Sequence, residues 1–249
     1  MAAVFLCGPT APSFFILFSF VYLLAYFLIF RSWGPKQRAA ASSCFLSLAH
    51  GTPAVVIATS AILSTQTNFR NLASPNTTSQ NTVLEFSIGY FLMDLLHYLI
   101  FEPRDILFIL HHLVTLYVIV TCRYMVRHGA FAILILLILA EITSPFQNVW
   151  SLARFRKAEV AAFAKLYEIL SLPFYVFYSV VRGVLGPLFV YKMGVFYISG
   201  AADGLIPKWA WVSWMIVTIS AIALSILWIL NHWMDWYREK SNRAAKKVK

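Results

Sequence analysis

The stretch Asp105-Ile-Leu-Phe-Ile-Leu-His-His-Leu-Val-Thr-Leu-Tyr-Val-Ile-Val-Thr121 sets two adjacent histidines, His111 and His112, in a run otherwise made of aliphatic and aromatic side chains. A run this apolar reads as a membrane span, which needs about 17–25 residues. An imidazole at that depth is costly unless it is hydrogen-bonded or faces a wet cavity, so the pair is a candidate for function.

Outward from this segment the same pattern recurs. Apolar stretches long enough to cross a bilayer fall at roughly 13–30, 41–63, 83–101, 106–122, 129–150, 166–190 and 209–233, which makes seven spans, or six if one is re-entrant. The composition agrees: 60% of the 249 residues are hydrophobic and 12% charged, with a mean hydropathy of +0.73, whereas soluble domains carry about 25% charged residues. The expected fold is all-α, a polytopic bundle of transmembrane helices surrounding an intramembrane polar cavity. Residues 1–249 form one membrane domain, its core running from about 40 to 235, because no connection between spans is long enough for a soluble domain. The turn Glu102-Pro103-Arg104-Asp105 and a short fourth span predict an antiparallel hairpin of the third and fourth helices. No inverted repeat of the transporter type is visible. Residues 1–12 hold no Lys or Arg, so the first span reads as an uncleaved helix rather than a signal peptide.

A net charge of +10 in a soluble protein would suggest a nucleic-acid partner; here none is expected, and the placement of the charge reports topology. Fourteen of the twenty basic residues, among them Arg31, Lys36, Arg38, Arg104, Arg154, Arg156, Lys157, Lys165 and those of the 238–249 tail, fall on one side of a seven-span arrangement. The positive-inside rule makes that side cytosolic and the N-terminus lumenal. Asn76-Thr77-Thr78, the chain's only glycosylation acceptor sequence, lies in the 64–82 loop on the lumenal side. The tail ends Lys246-Lys247-Val248-Lys249, which resembles a di-lysine retrieval signal for the endoplasmic reticulum; the alternative is a basic tail drawn to anionic headgroups. Trp209, Trp211 and Trp214 at one end of the seventh span, and Trp233, Trp236 and Tyr237 at the other, read as interfacial anchors. Cys7, Cys44 and Cys122 show no metal or redox spacing and read as packed thiols.

Polar groups recur inside the spans. Asp94 and His97, three apart, share a helix face where an acid can orient a ring. His111 and His112 point about 100° apart, so both border one cavity, or one serves chemistry while the other holds a neighbouring helix. Glu141, Ser144, Pro145 and Asn148 fall at i, i+3, i+4 and i+7, a polar stripe, with Pro145 kinking the helix and freeing the carbonyl of Glu141. His50 lies mid-span in the second helix, Glu168 opens the sixth, and Arg182 stands deep within it, with Glu141 its expected partner. Singly, such groups are usually interhelical hydrogen bonds. Together, seven ionisable residues (His50, Asp94, His97, His111, His112, Glu141 and Arg182) argue for a shared cavity.

These residues carry a family resemblance. Gly89-Tyr-Phe-Leu-Met-Asp94, His111-His-Leu-Val-Thr-Leu116 and Glu141-Ile-Thr-Ser-Pro-Phe-Gln-Asn148, with His50 upstream and Arg182 downstream, resemble a TLC domain, the membrane module of ceramide synthases and translocon-associated membrane proteins. The chain is most similar to the small stand-alone TLC-domain proteins. The resemblance implies lipid chemistry or lipid recognition. In a ceramide-synthase-like reading, His111 or His112 is general base or acyl carrier, Asp94 orients a ring, and acyl-CoA is the co-substrate; His50, His97, Glu141, Asn148 and Arg182 hold the substrate. The ceramide synthase pattern follows its double histidine with a His-Asp and a further Asp, where this chain has Glu141. That departure favours a protein that binds or regulates a lipid in membrane lipid homeostasis. The expected partner is therefore a membrane lipid or fatty acyl chain, with no cofactor and no metal. Adjacent helical histidines diverge too far to share a zinc ion, and six histidines without His-x-x-His-His clusters do not match a membrane di-iron site.

Overall fold

The computed structural model describes residues 10–65 and 71–247, the side chains of 242–247 excepted. Cys7, Arg70 and the lysine side chains of the tail motif lie outside the described residues. Among the described residues seven helical stretches are long and apolar enough to span a membrane: Ala11–Ile29, Pro35–Leu63, Thr78–Phe101, Ile106–Val126, Ala130–Arg156, Ala161–Ile198 and Lys208–Ser241. Within them the α-helices are α1 (Ala11–Leu24), α2 (Pro35–Leu63), α3 (Thr78–Phe101), α4 (Ile106–Val120), α5 (Ala130–Glu141), α6 (Ser144–Arg156), α7 (Ala161–Val180), α8 (Gly186–Ile198) and α9 (Lys208–Lys247). Short π-helical turns at Ala25–Ile29, Thr121–Val126 and Val181–Leu185 extend α1, extend α4 and join α7 to α8.

Local chemistry sets the helix ends. Thr77 opens α3 with a capping box: its hydroxyl accepts from Gln80 N at 3.2 Å, and Gln80 Oε1 accepts from Thr77 N at 3.0 Å. Asp105 caps α4 by accepting from Phe108 N, and Asp105 N donates to Glu102 O at 2.9 Å, which closes the predicted α3–α4 hairpin. The fourth span is not short: the π turn carries it to Val126, where Arg127 at φ 59° ends it in the left-handed conformation usual at helix C-termini. The fifth span is not one kinked helix. It breaks after Glu141 and restarts at Ser144, with Pro145 in the first turn of α6, where a missing N–H costs nothing.

α3 is the enclosed centre of the bundle, with α1, α2, α4 and α5 packed around it. At Gly89 the backbone of α1 lies directly on α3, since a Cβ there would sit 2.6 Å from Phe14. α9 is the opposite case, with most of its apolar surface facing outward. Trp214 of α9 is no interfacial anchor: it is fully buried and donates from Nε1 to Thr121 Oγ1 at 2.9 Å, packed over the bare backbone of Gly129.

Candidate functional site

The break between α5 and α6 organises the polar interior. A helix that stops leaves its last carbonyls without intrahelical partners. Arg182, in the π turn between α7 and α8, meets that need: Nη2 donates to Ala140 O at 2.5 Å and Nε to Thr143 Oγ1 at 3.2 Å. The guanidinium also stands 5.1 Å over the Tyr178 ring. The expected Arg182–Glu141 ion pair is not formed, since among the described residues no ion pair within 4.0 Å joins them. The helix end at Ala140, carrying partial negative charge, takes the cation instead.

Glu141 is left without that ion pair. It is buried, its Oε2 has no hydrogen-bond partner among the described residues, and His50 Nδ1, 3.9 Å away, is equally unpartnered. That separation exceeds a hydrogen bond. A buried polar atom without a partner costs about 1–3 kcal/mol. Gly51 makes the approach of α2 possible, because a Cβ there would lie 2.7 Å from the same oxygen.

Beside this break lies a cavity of ≈ 170 Å³, walled by α4, α5, the Val181–Leu185 turn, the start of α8, and α9, with Leu84 and Phe91 of α3 at the back. Four of its polar groups, His111, Glu141, Arg182 and Ser225, gather at one end, with the hydroxyls of Thr115 and Thr218 further along. Along antiparallel α4, α5 and α9 the lining then turns apolar through Val118, Leu137, Ala221 and Ile222 to Ile119, Ile133 and Val217. From His111 to Ile119 this is about 12 Å of helix. α9, in the least buried of the seven spans, is clipped to α4 by Tyr117 OH–Ser213 Oγ at 2.8 Å near one end and by Phe108 against Trp228 near the other.

The two histidines have different situations. His112 is buried and held at both nitrogens: Nδ1 is 2.7 Å from Phe108 O and Nε2 is 2.9 Å from Asp94 Oδ2, while Ser43 Oγ donates to Asp94 Oδ1 at 2.7 Å. Both ring nitrogens face acceptors, so Nδ1 donates to the carbonyl and a second proton lies between Nε2 and the carboxylate. His111 has its ring perpendicular to that of His112, centroids 5.5 Å apart, and no hydrogen-bond partner among the described residues. Half-buried on the cavity wall, it is the ring free to meet a ligand.

Of the eight side chains singled out in the sequence, the structure brings His111, Glu141 and Arg182 onto this wall. The others lie between helices. His50 stacks on Tyr90 at 3.9 Å and bonds Ser87 Oγ through Nε2 at 3.1 Å. His97 pairs through Nδ1 with Tyr22 OH at 2.8 Å, not with Asp94, which His112 occupies. Asn148 ties α6 to α2 by donating to Ser47 Oγ at 2.9 Å. Ser225 and Thr218 of α9, seven residues apart, also line the cavity. Their spacing in an apolar span was the available signal for them. No group of three or more His, Cys, Asp or Glu among the described residues is placed to hold a metal ion.

A family model for the TLC domain matches residues 40–234, from inside α2 to the middle of α9. The chain belongs to the TLC-domain family. It is 54% identical over 246 residues to a TLC domain-containing protein of Arabidopsis thaliana, covering 97% of this chain and 96% of that one. No solved structure matches it. Every residue of the cavity lining falls within the matched TLC domain. α1 and its Tyr22, the partner of His97, lie before it.

Proposed function

We propose that this TLC-domain protein binds a membrane lipid in the cavity and acts through it in membrane lipid homeostasis. One observation carries the reading: an apolar shaft headed by an imidazole without a hydrogen-bond partner among the described residues, a carboxylate and a guanidinium. A headgroup with a hydroxyl or amide meets the ring of His111, which accepts from or donates to it, beside the Glu141 and Arg182 side chains on the same wall. The apolar remainder of the lining suits an acyl chain, and a family that is generally membrane-lipid-related agrees.

A second reading, acyl transfer from acyl-CoA, draws on the free ring of His111. A neutral imidazole can take the proton of an attacking amine, or itself attack a thioester carbonyl and release the thiol. Glu141 in place of the His-Asp pattern keeps this reading second. In either case the seven spans, the basic residues on one side and the tail lysines support an endoplasmic reticulum protein with lumenal N-terminus and cytosolic C-terminus.

The test is to extract the full chain in mild detergent and identify the lipids it retains by mass spectrometry. A stoichiometric lipid that Glu141→Gln and His111→Ala release is the expected result; an empty wild-type cavity would sink the binding reading. Release of CoA from a long-chain acyl-CoA, abolished by His111→Ala, would move acyl transfer to first place. Lipid profiles of cells lacking the protein name the lipid class.

A further inference from the structure

The close-packed seam between the α7–α8 segment and α9 bears on which chain the cavity accepts. Three glycines of that segment take three side chains of α9 spaced seven apart. A Cβ on Gly183 would be 3.0 Å from Ile229 Cδ1, on Gly186 2.9 Å from Ile222 Cδ1, and on Gly194 3.3 Å from Met215 Cε. Only the middle pair, Gly186 and Ile222, also lines the cavity. Ile222 lays its terminal methyl over the bare backbone of Gly186, and this draws the side chain back against the wall. Arg182 lies one turn before Gly186 on the same segment, so the pair stands just past the polar end of the shaft, where the first methylenes of a bound chain would run.

We infer that the Gly186–Ile222 pair sets the bore of the shaft, and that the ligand is an amphiphile with a single slender, unbranched chain, its hydroxyl or amide head at the Glu141–His111 end. This rests on the lipid-binding reading and adds a chain specificity to it. A methyl branch at the level of Ile222 overpacks a wall already in contact and weakens binding about tenfold, which is about 1.4 kcal/mol. A side chain on Gly186 has the same effect from behind, because the methyl of Ile222 must swing into the shaft. Shortening Ile222 relieves both.

The experiment uses the full chain in mild detergent, photolabelled by a hexadecanol bearing a diazirine, with unlabelled hexadecanol or its tetramethyl-branched analogue phytanol as competitor. The two share head and backbone and differ in the branches alone. In the wild type, phytanol should compete about tenfold more weakly. Ile222→Ala should bring the two competitors to within about threefold, and Gly186→Val should weaken hexadecanol about tenfold. The double variant Gly186→Val/Ile222→Ala should recover hexadecanol binding, which separates a narrowed shaft from a misfolded chain. Gly183→Ala makes the same kind of contact away from the cavity and should leave the ratio as in the wild type. Equal competition by both alcohols in the wild type, or an unchanged ratio in Ile222→Ala, would overturn the inference and leave lipid binding standing. Labelling that neither alcohol competes would overturn both.

Discussion

Asp94 Oδ2 accepts from His112 Nε2 at 2.9 Å, and both side chains are almost wholly buried. The adjacent ring, His111, has no hydrogen-bond partner among the described residues and faces the cavity. One histidine is thus spent on holding α4 to α3, and the other is available. Removing one member of a buried hydrogen-bonded charge pair costs about 3–5 kcal/mol. Asp94→Ala and His112→Ala should each lose stability of that order, seen as a lowered thermal unfolding midpoint of the detergent-solubilised protein. His111→Ala should change stability by less than about 1 kcal/mol and abolish retention of the lipid. Equal stability losses in His111→Ala and His112→Ala would contradict the division.

Arg182 and Glu141 separate in the same way. Arg182 supplies charged donors to Ala140 O and Thr143 Oγ1 at the end of α5, and hydrogen bonds from charged groups contribute about 1.5–3 kcal/mol. Arg182→Ala should lose about that much stability. Arg182→Lys should recover little, because an ammonium lacks the planar fork that reaches both acceptors. Glu141→Gln keeps the shape of the side chain and should stay within about 1 kcal/mol of the wild type while losing bound lipid. Unfolding midpoints and retained lipid, measured on the same preparations, decide it.

What the sequence disclosed and what it withheld follows from these pairs. Apolar runs locate the seven spans because hydrocarbon admits little else, and Thr77 with Gln80, or the Glu102–Asp105 turn, mark ends through local hydrogen bonds. The residues worth asking about were legible for the same reason: a polar group in such a run is conspicuous. Their partners were not, since a partner depends on how each helix is rotated and where it stops. His111 and His112 differ by one residue and end in different environments. Arg182 goes to a carbonyl rather than to Glu141 because α5 stops at Glu141. Trp209 and Trp214 belong to one aromatic cluster in the sequence, yet one is exposed and the other fully buried over Gly129.

Gly51 tests whether Glu141 must be held where it is. A Cβ at this position would stand 2.7 Å from Glu141 Oε2 and 3.1 Å from Ser144 Cβ, so the carboxylate moves or α2 retreats from the break. Overpacking of this kind costs about 1–3 kcal/mol. Gly51→Ala should show a lowered unfolding midpoint together with weakened lipid retention. Gly34→Ala, at a glycine with open space around it, should change neither. Full lipid retention in Gly51→Ala would mean that the position of Glu141 is not critical.

Asn76 poses a question of topology that its own hydrogen bonds complicate. Its Nδ2 donates to Cys122 O at 2.9 Å and its Oδ1 accepts from Ala130 N at 2.9 Å, clasping the loop before α3 to the α4–α5 turn. Replacing Asn76 to test glycosylation therefore also removes a clasp: Asn76→Gln should cost about 1–3 kcal/mol, leaving a carbonyl and an amide without partners. Thr78→Ala breaks the same acceptor sequence and leaves both bonds intact. With the N-terminus lumenal, the wild type made with microsomes should carry an endoglycosidase-sensitive glycan that Thr78→Ala lacks, at an unchanged unfolding midpoint. Nδ2 keeps one hydrogen when glycosylated, so the bond to Cys122 O can survive the modification. An Asn76 that stays bare, while an acceptor sequence placed in the 157–160 loop is glycosylated, would show that the basic side of the molecule faces the lumen and would invert the orientation.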